Sequence, residues 1–142
     1  MSQTVIPDEL IAAYQATEYR ACIDDESLIL KIGQRSDDLA HIFQFSDQSG
    51  ATFITAENPF SQTVTSAENA TNQRRLHDDL TALGATIFEG VGQGQDPNWA
   101  AEASFLAIGV SRAQARELGQ KYRQNAIVWI DADTIPELIL LR

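Results

Sequence analysis

The sequence predicts an α+β fold: a single-layer, mixed but mainly antiparallel sheet of about five to seven strands packed with about four helices, in one domain over residues 1–142. Three observations lead there. Apolar runs of strand length and helix-period segments follow one another in the order α-β-β-α-β-α-β-β-α-β-β. Some strands are joined by turns too short for a crossover, so hairpins mix with helical crossovers. At 142 residues and 44% apolar content the chain can bury a core of its own.

The first helix opens at Pro7, with Asp8 and Glu9 suited to the positive end of the helix dipole, and runs to about residue 16. Leu10, Ile11, Ala13 and Tyr14 form its apolar face. Residues 19–23 and 27–32 read as two strands joined by the acidic turn Asp24-Asp25-Glu26, a hairpin signal. The lone Cys22 falls in this apolar pattern, where a buried thiol is expected, and a single cysteine excludes an internal disulfide. Ser36 caps a second helix whose core face is Leu39, Ile42 and Phe43.

Residues 51–56 form the next strand, followed by the loop ENPFSQ and a long helix. Thr65 and Glu68 make a T-x-x-E capping box, and Gly84 stands at the C′ position after Leu83. Residues 85–91 and 103–110 are strands, separated by the glycine-rich stretch GVGQGQDPNW, which we read as a connection able to line a site. Ser111 and Gln114 form a second capping box for a helix over 112–122. Residues 125–130 are almost wholly apolar, as in a strand covered on both faces, and residues 137–141 close the chain as a last strand.

A net charge of −10 disfavours nucleic acid and anionic membrane surfaces as partners. The chain has no apolar run of spanning length and no N-terminal signal segment, so the expected location is the cytoplasm. No phosphate loop is present and the dinucleotide fingerprint is incomplete, so no cofactor is expected. His41 and His77 are too few for a metal site, and no G-x-S-x-G elbow accompanies Ser61 or Ser104, so neither a metal centre nor a serine hydrolase is expected.

The most informative anomaly lies in the long helix. Leu76, Leu80 and Leu83 mark one face at i, i+4 and i+7. Continued toward the N-terminus, that stripe meets Asn69, Asn72 and Gln73. Buried amides need partners, which can be loop backbone, a neighbouring strand or a ligand.

The segments PDELIAAYQATEY, FITAENPFSQ with a following EN, the glycine-rich turn with D-P, the E-x-S-F strand and GQKYRQNAIVW together resemble the bacterial family of proteins of unknown function DUF3293. The resemblance covers nearly the whole chain, and T-A-x-N-P-x-S and Q-N-A-I-V-W are its most specific parts. It extends to Thr55, Asn58, Pro59, Ser61, Glu68, Asn69, Glu102, Ser104, Gln124 and Asn125. What it implies is a small soluble bacterial protein, with no catalytic assignment for any of these residues. At Glu57 the resemblance leads one to expect an aromatic residue, and the sequence departs from it.

The leading expectation is therefore a module that binds an unidentified small molecule or peptide at the ENPFS loop and the following helix. Thr55, Asn58, Ser61, Asn69, Asn72 and Gln73 would provide hydrogen bonds, joined by Gln124 and Asn125. The alternative is an enzyme acting on a nucleotide or phosphorylated compound, with Glu68, Glu89 or Glu102 as acid–base group, two of which would have to converge. A second alternative is a protein-interaction module with an exposed apolar patch.

Overall fold

The computed structural model describes residues 4–45, 50–94 and 101–142. Among these, four α-helices and seven strands follow in the expected order: α1 (Asp8–Ala16), β1 (Glu18–Ile23), β2 (Glu26–Leu30), α2 (Asp37–Phe45), β3 (Ala51–Ile54), α3 (Ser66–Ala82), β4 (Thr86–Gln93), β5 (Glu102–Ile108), α4 (Arg112–Lys121), β6 (Ala126–Ile130) and β7 (Pro136–Leu140). The strands form one sheet in the order β2-β1-β4-β5-β3-β6-β7, curled into a half-barrel, and every neighbouring pair is antiparallel.

Local chemistry sets most of the boundaries. Asp24 and Asp25 take left-handed φ values of 49° and 68°, as a two-residue hairpin turn requires. The Thr65 hydroxyl accepts from the Glu68 N–H, and Ser111 and Gln114 form the complete reciprocal box. At the end of α3, Gly84 at φ 78° bonds Thr81 O, and the Ala85 N–H reaches Leu80 O, the two bonds of a Schellman ending.

The core has two layers, one on each face of the sheet. Leu76 and Leu80 of α3 and Ala115 and Leu118 of α4 pack on Ile54, Phe105, Ala107, Ile127 and Trp129. On the other face, Leu39 of α2 packs with Phe53, Leu106, Ile108, Val128 and Ile130, and Tyr19, Ala21, Leu28 and Leu30 extend this layer along β1 and β2. Strand β6 contributes to both layers, which is why its sequence is continuously apolar.

Two details differ from the sequence reading. Cys22 is exposed, because Tyr19 and Ala21 take the inward positions of β1 and the alternation turns Cys22 outward. Leu83 is 38% exposed, because it is the C-cap residue, where the helix ends before that face is covered.

Candidate functional site

The ENPFS loop follows β3 and is pinned by the amides of α3. Gln73 accepts from the Ala56 N–H at 2.7 Å through Oε1 and donates to Ala103 O at 2.9 Å through Nε2. Asn69 accepts from the Asn58 N–H at 2.9 Å and donates to Asn58 Oδ1 at 3.1 Å. The polar break in the helix stripe thus serves the loop backbone. Thr55 adds a bond from its hydroxyl to Ala103 O at 2.7 Å and accepts from the Glu57 N–H at 3.1 Å. These bonds hold Asn58 and Phe60 at left-handed φ values of 46° and 54°, with the Phe60 N–H on Arg123 O at 2.6 Å. Gln73→Ala would leave the Ala56 N–H unpaired, so we expect a loss of about 1–3 kcal/mol in urea unfolding.

On the far side of this loop, on the sheet face shared with α2, a cavity of about 100 Å³ opens. It lies where β3, β4 and β7 end and β1, β5 and β6 begin. Phe53, Tyr19, Val128 and Leu138 form apolar walls, and Tyr14 and Thr17 approach from α1 and the turn after it. Small residues make the space: Gly92 and Ser104 line it on β4 and β5, and Ala126 on β6. A side chain at Gly92 would meet only the Thr17 methyl, at 3.9 Å. Tyr19 and Phe53 meet edge to face with centroids 5.2 Å apart, and the Tyr19 hydroxyl donates to Tyr14 O at 2.6 Å, tying α1 to the sheet.

Glu102 lines this cavity. Its carboxylate has neither a hydrogen-bond nor an ion-pair partner among the described residues. Burial, and next the nearby charge of Glu57, push its pKa up to about 7. Glu57 is held close because its Oε1 accepts from the Ala103 N–H at 2.9 Å. Gln124 is buried beside them and donates to Glu57 O at 3.1 Å and Tyr122 O at 3.2 Å.

Of the residues singled out in the sequence, the cavity brings together Thr55, Asn58, Glu102 and Gln124. Asn125 stands just behind it, donating to the Tyr14 hydroxyl at 3.2 Å and accepting from Arg142 at 3.1 Å. Asn69 and Gln73 line a separate groove on the α3 side of the loop. Asn72 and Glu68 line an open groove between α3 and the end of α4, with Arg75, Asp79 and Lys121. In that groove burial opposes ionisation of Asp79, yet the Lys121 ammonium at 2.7 Å and the Tyr122 hydroxyl at 2.6 Å hold its pKa below the usual carboxylate range. The side chain of Ser61 and residues 95–99 of the glycine-rich connection lie outside what the structure describes.

The three glutamates do not converge. Glu89 pairs with Phe105 and Glu102 with Gly92, so register puts them on opposite faces of the sheet, while Glu68 is exposed in the first turn of α3. The carboxylate beside Glu102 is Glu57. Sequence reasoning also passed over Tyr14, Thr17, Tyr19 and Phe53 as site residues. The only signal was the pair Tyr14 and Tyr19 early in the chain, which core packing explains equally well, and nothing marked Thr17 or Phe53.

Fold and site define an α+β protein with one carboxylate set into a largely apolar cavity at one end of its sheet. A family model described as protein of unknown function (DUF3293) matches residues 54–127, and the chain belongs to this family. Among solved structures, a phage SAM lyase in complex with S-methyl-5'-thioadenosine matches at 15% identity and a TM-score of 0.35, covering 65% of this chain and 88% of that one. No curated protein matches the sequence. No helix among the described residues is long and apolar enough to cross a membrane.

Proposed function

We propose that the protein binds a small molecule in the cavity between α1 and the strand ends, with Glu102 as the ligand's main polar partner. The observation that carries this reading is the carboxylate of Glu102, held in a mostly apolar cavity without a partner among the described residues. An unpaired, half-buried carboxylate costs stability, and a structural role would be served better by a neutral or paired side chain. The ENPFS loop then has a supporting part: its bonds to Gln73 and Asn69 hold Thr55 and Asn58 in the cavity wall.

A second reading makes the same site catalytic. A carboxyl group that titrates near neutral pH suits a general acid or base. For a phosphorylated substrate the support is weaker, because none of the described lining residues is Lys or Arg. The protein-interaction reading rests on Val5, Ile29, Leu83 and Ile135, exposed apolar residues from four separate segments.

The test is a thermal-shift screen of small molecules against the wild type and Ala126→Leu, whose added side chain would fill the cavity. A ligand at a hundredfold excess over its Kd adds about 2.7 kcal/mol of stability. We expect hits on the wild type that vanish in Ala126→Leu while its circular dichroism is unchanged. Hits that persist in Ala126→Leu and vanish in Asn72→Ala would move the site to the α3–α4 groove and overturn the proposal. Turnover of a hit, lost in Glu102→Gln, would favour the catalytic reading.

A further inference from the structure

Resting on that reading of the cavity, we infer that its ligand is an organic cation: a protonated amine, or a group of equivalent charge, joined to a flat apolar body.

The charge balance of the site is the first argument. Among the described residues, Glu102 is the one carboxylate lining the cavity, and no lysine or arginine lines it. A second carboxylate, Glu57, approaches from the loop and is fixed there by the Ala103 N–H. The arginines Arg142 and Arg20 are engaged elsewhere. Arg142 donates to Asn125 Oδ1 and lies 4.0 Å from the centroid of the Phe60 ring, and Arg20 is paired with Glu18 on the exposed side of β1. The described residues thus hold one half of an ion pair in partly desolvated surroundings and leave the other half open. A cation would supply it. An anion would bring a further negative charge next to two carboxylates.

The walls are the second argument. Tyr14, Tyr19 and Phe53 place three aromatic side chains around the carboxylate. Aromatic faces attract cations and also pack flat apolar groups, so they suit both parts of such a ligand. The Tyr19 hydroxyl is committed to Tyr14 O, which fixes the ring's position. Gly92 leaves room beside Glu102 on the neighbouring strand. The long-range field acts in the same direction: a chain of net charge −10 draws cations toward it and repels anions.

A matched series separates charge from shape: benzylamine, benzyl alcohol and phenylacetate have the same ring and are cationic, neutral and anionic. Each is titrated into the full ¹⁵N-labelled chain near pH 8, where Glu102 is ionised, and followed through the amides of Gly92, Ser104 and Ala126. We expect benzylamine to bind roughly tenfold or more tightly than benzyl alcohol, and phenylacetate most weakly. In Glu102→Gln, which keeps the size of the side chain, the preference should fall to within about twofold. Binding of benzyl alcohol or phenylacetate at these amides as tight as benzylamine would overturn the cation inference and leave the cavity as the binding site. If none of the three shifts these amides, the cavity reading and this inference both fail.

Discussion

Replacing Glu102 by glutamine is expected to stabilise the protein by roughly 1–3 kcal/mol at about pH 8 while removing the charge from the cavity. Burial, reinforced by Glu57, raises the carboxyl pKa from 4.5 to about 7 in the folded state. An acid with a raised folded pKa holds its proton longer in the native state than in the unfolded one. Its contribution is therefore fully present below pH 4.5 and is lost as pH rises through about 7. At about 1.4 kcal/mol per unit, the ceiling of this loss is about 3 kcal/mol, and water at the mouth of the cavity lowers it. Among the described residues, the titratable groups near Glu102 are the Glu57 carboxylate and the hydroxyls of Tyr14 and Tyr19. Burial keeps the Tyr19 hydroxyl neutral far above this range. Denaturant unfolding between about pH 5 and 8 should show the wild type losing stability where Glu102→Gln loses much less. Equal slopes for the two proteins would show that Glu102 is solvated or paired.

The second large effect concerns the sheet beneath the site. Gly90→Ala is expected to cost about 3 kcal/mol, at the upper end of overpacking penalties. A methyl group there would lie 2.5 Å from Arg20 O of the paired strand and 2.9 Å from the Phe53 ring. One obstacle is backbone, so β1 and β4 would have to part, and the other is a wall of the cavity. Gly92→Ala, two residues on, is the control. Its methyl group meets only Thr17 at 3.9 Å, so stability should change by less than about 1 kcal/mol. Urea unfolding of the two variants side by side measures the difference, and similar midpoints would contradict the close approach at Gly90.

Much of the fold was legible in the sequence because its signals are local. Thr65, Ser111 and Gly84 mark helix ends through bonds made within a few residues, and the Asp24-Asp25 turn announces its own hairpin. The order of strands was not legible. Insertion of β3 between β5 and β6 depends on pairings such as Phe53 with Leu106 and Val128, which no local pattern encodes. The site was half legible for the same reason. The amides of α3 were visible as an anomaly, but whether Gln73 meets a ligand or Ala56 depends on how the loop folds back. Glu89 and Glu102 looked alike as candidates. A register that pairs Glu102 with Gly92, and Glu89 with Phe105, places one in the cavity and the other against the α3 side. The aromatic walls come from α1, β1 and β3, and only the folded sheet brings them together.

The most direct test of the account is the titration of the Glu102 carboxyl, followed by carbon-13 NMR and assigned with Glu102→Gln. The midpoint is expected near 7, set by burial and by Glu57. A midpoint at the ordinary value near 4.5 would contradict it, since a carboxylate already solvated or paired would not await a ligand.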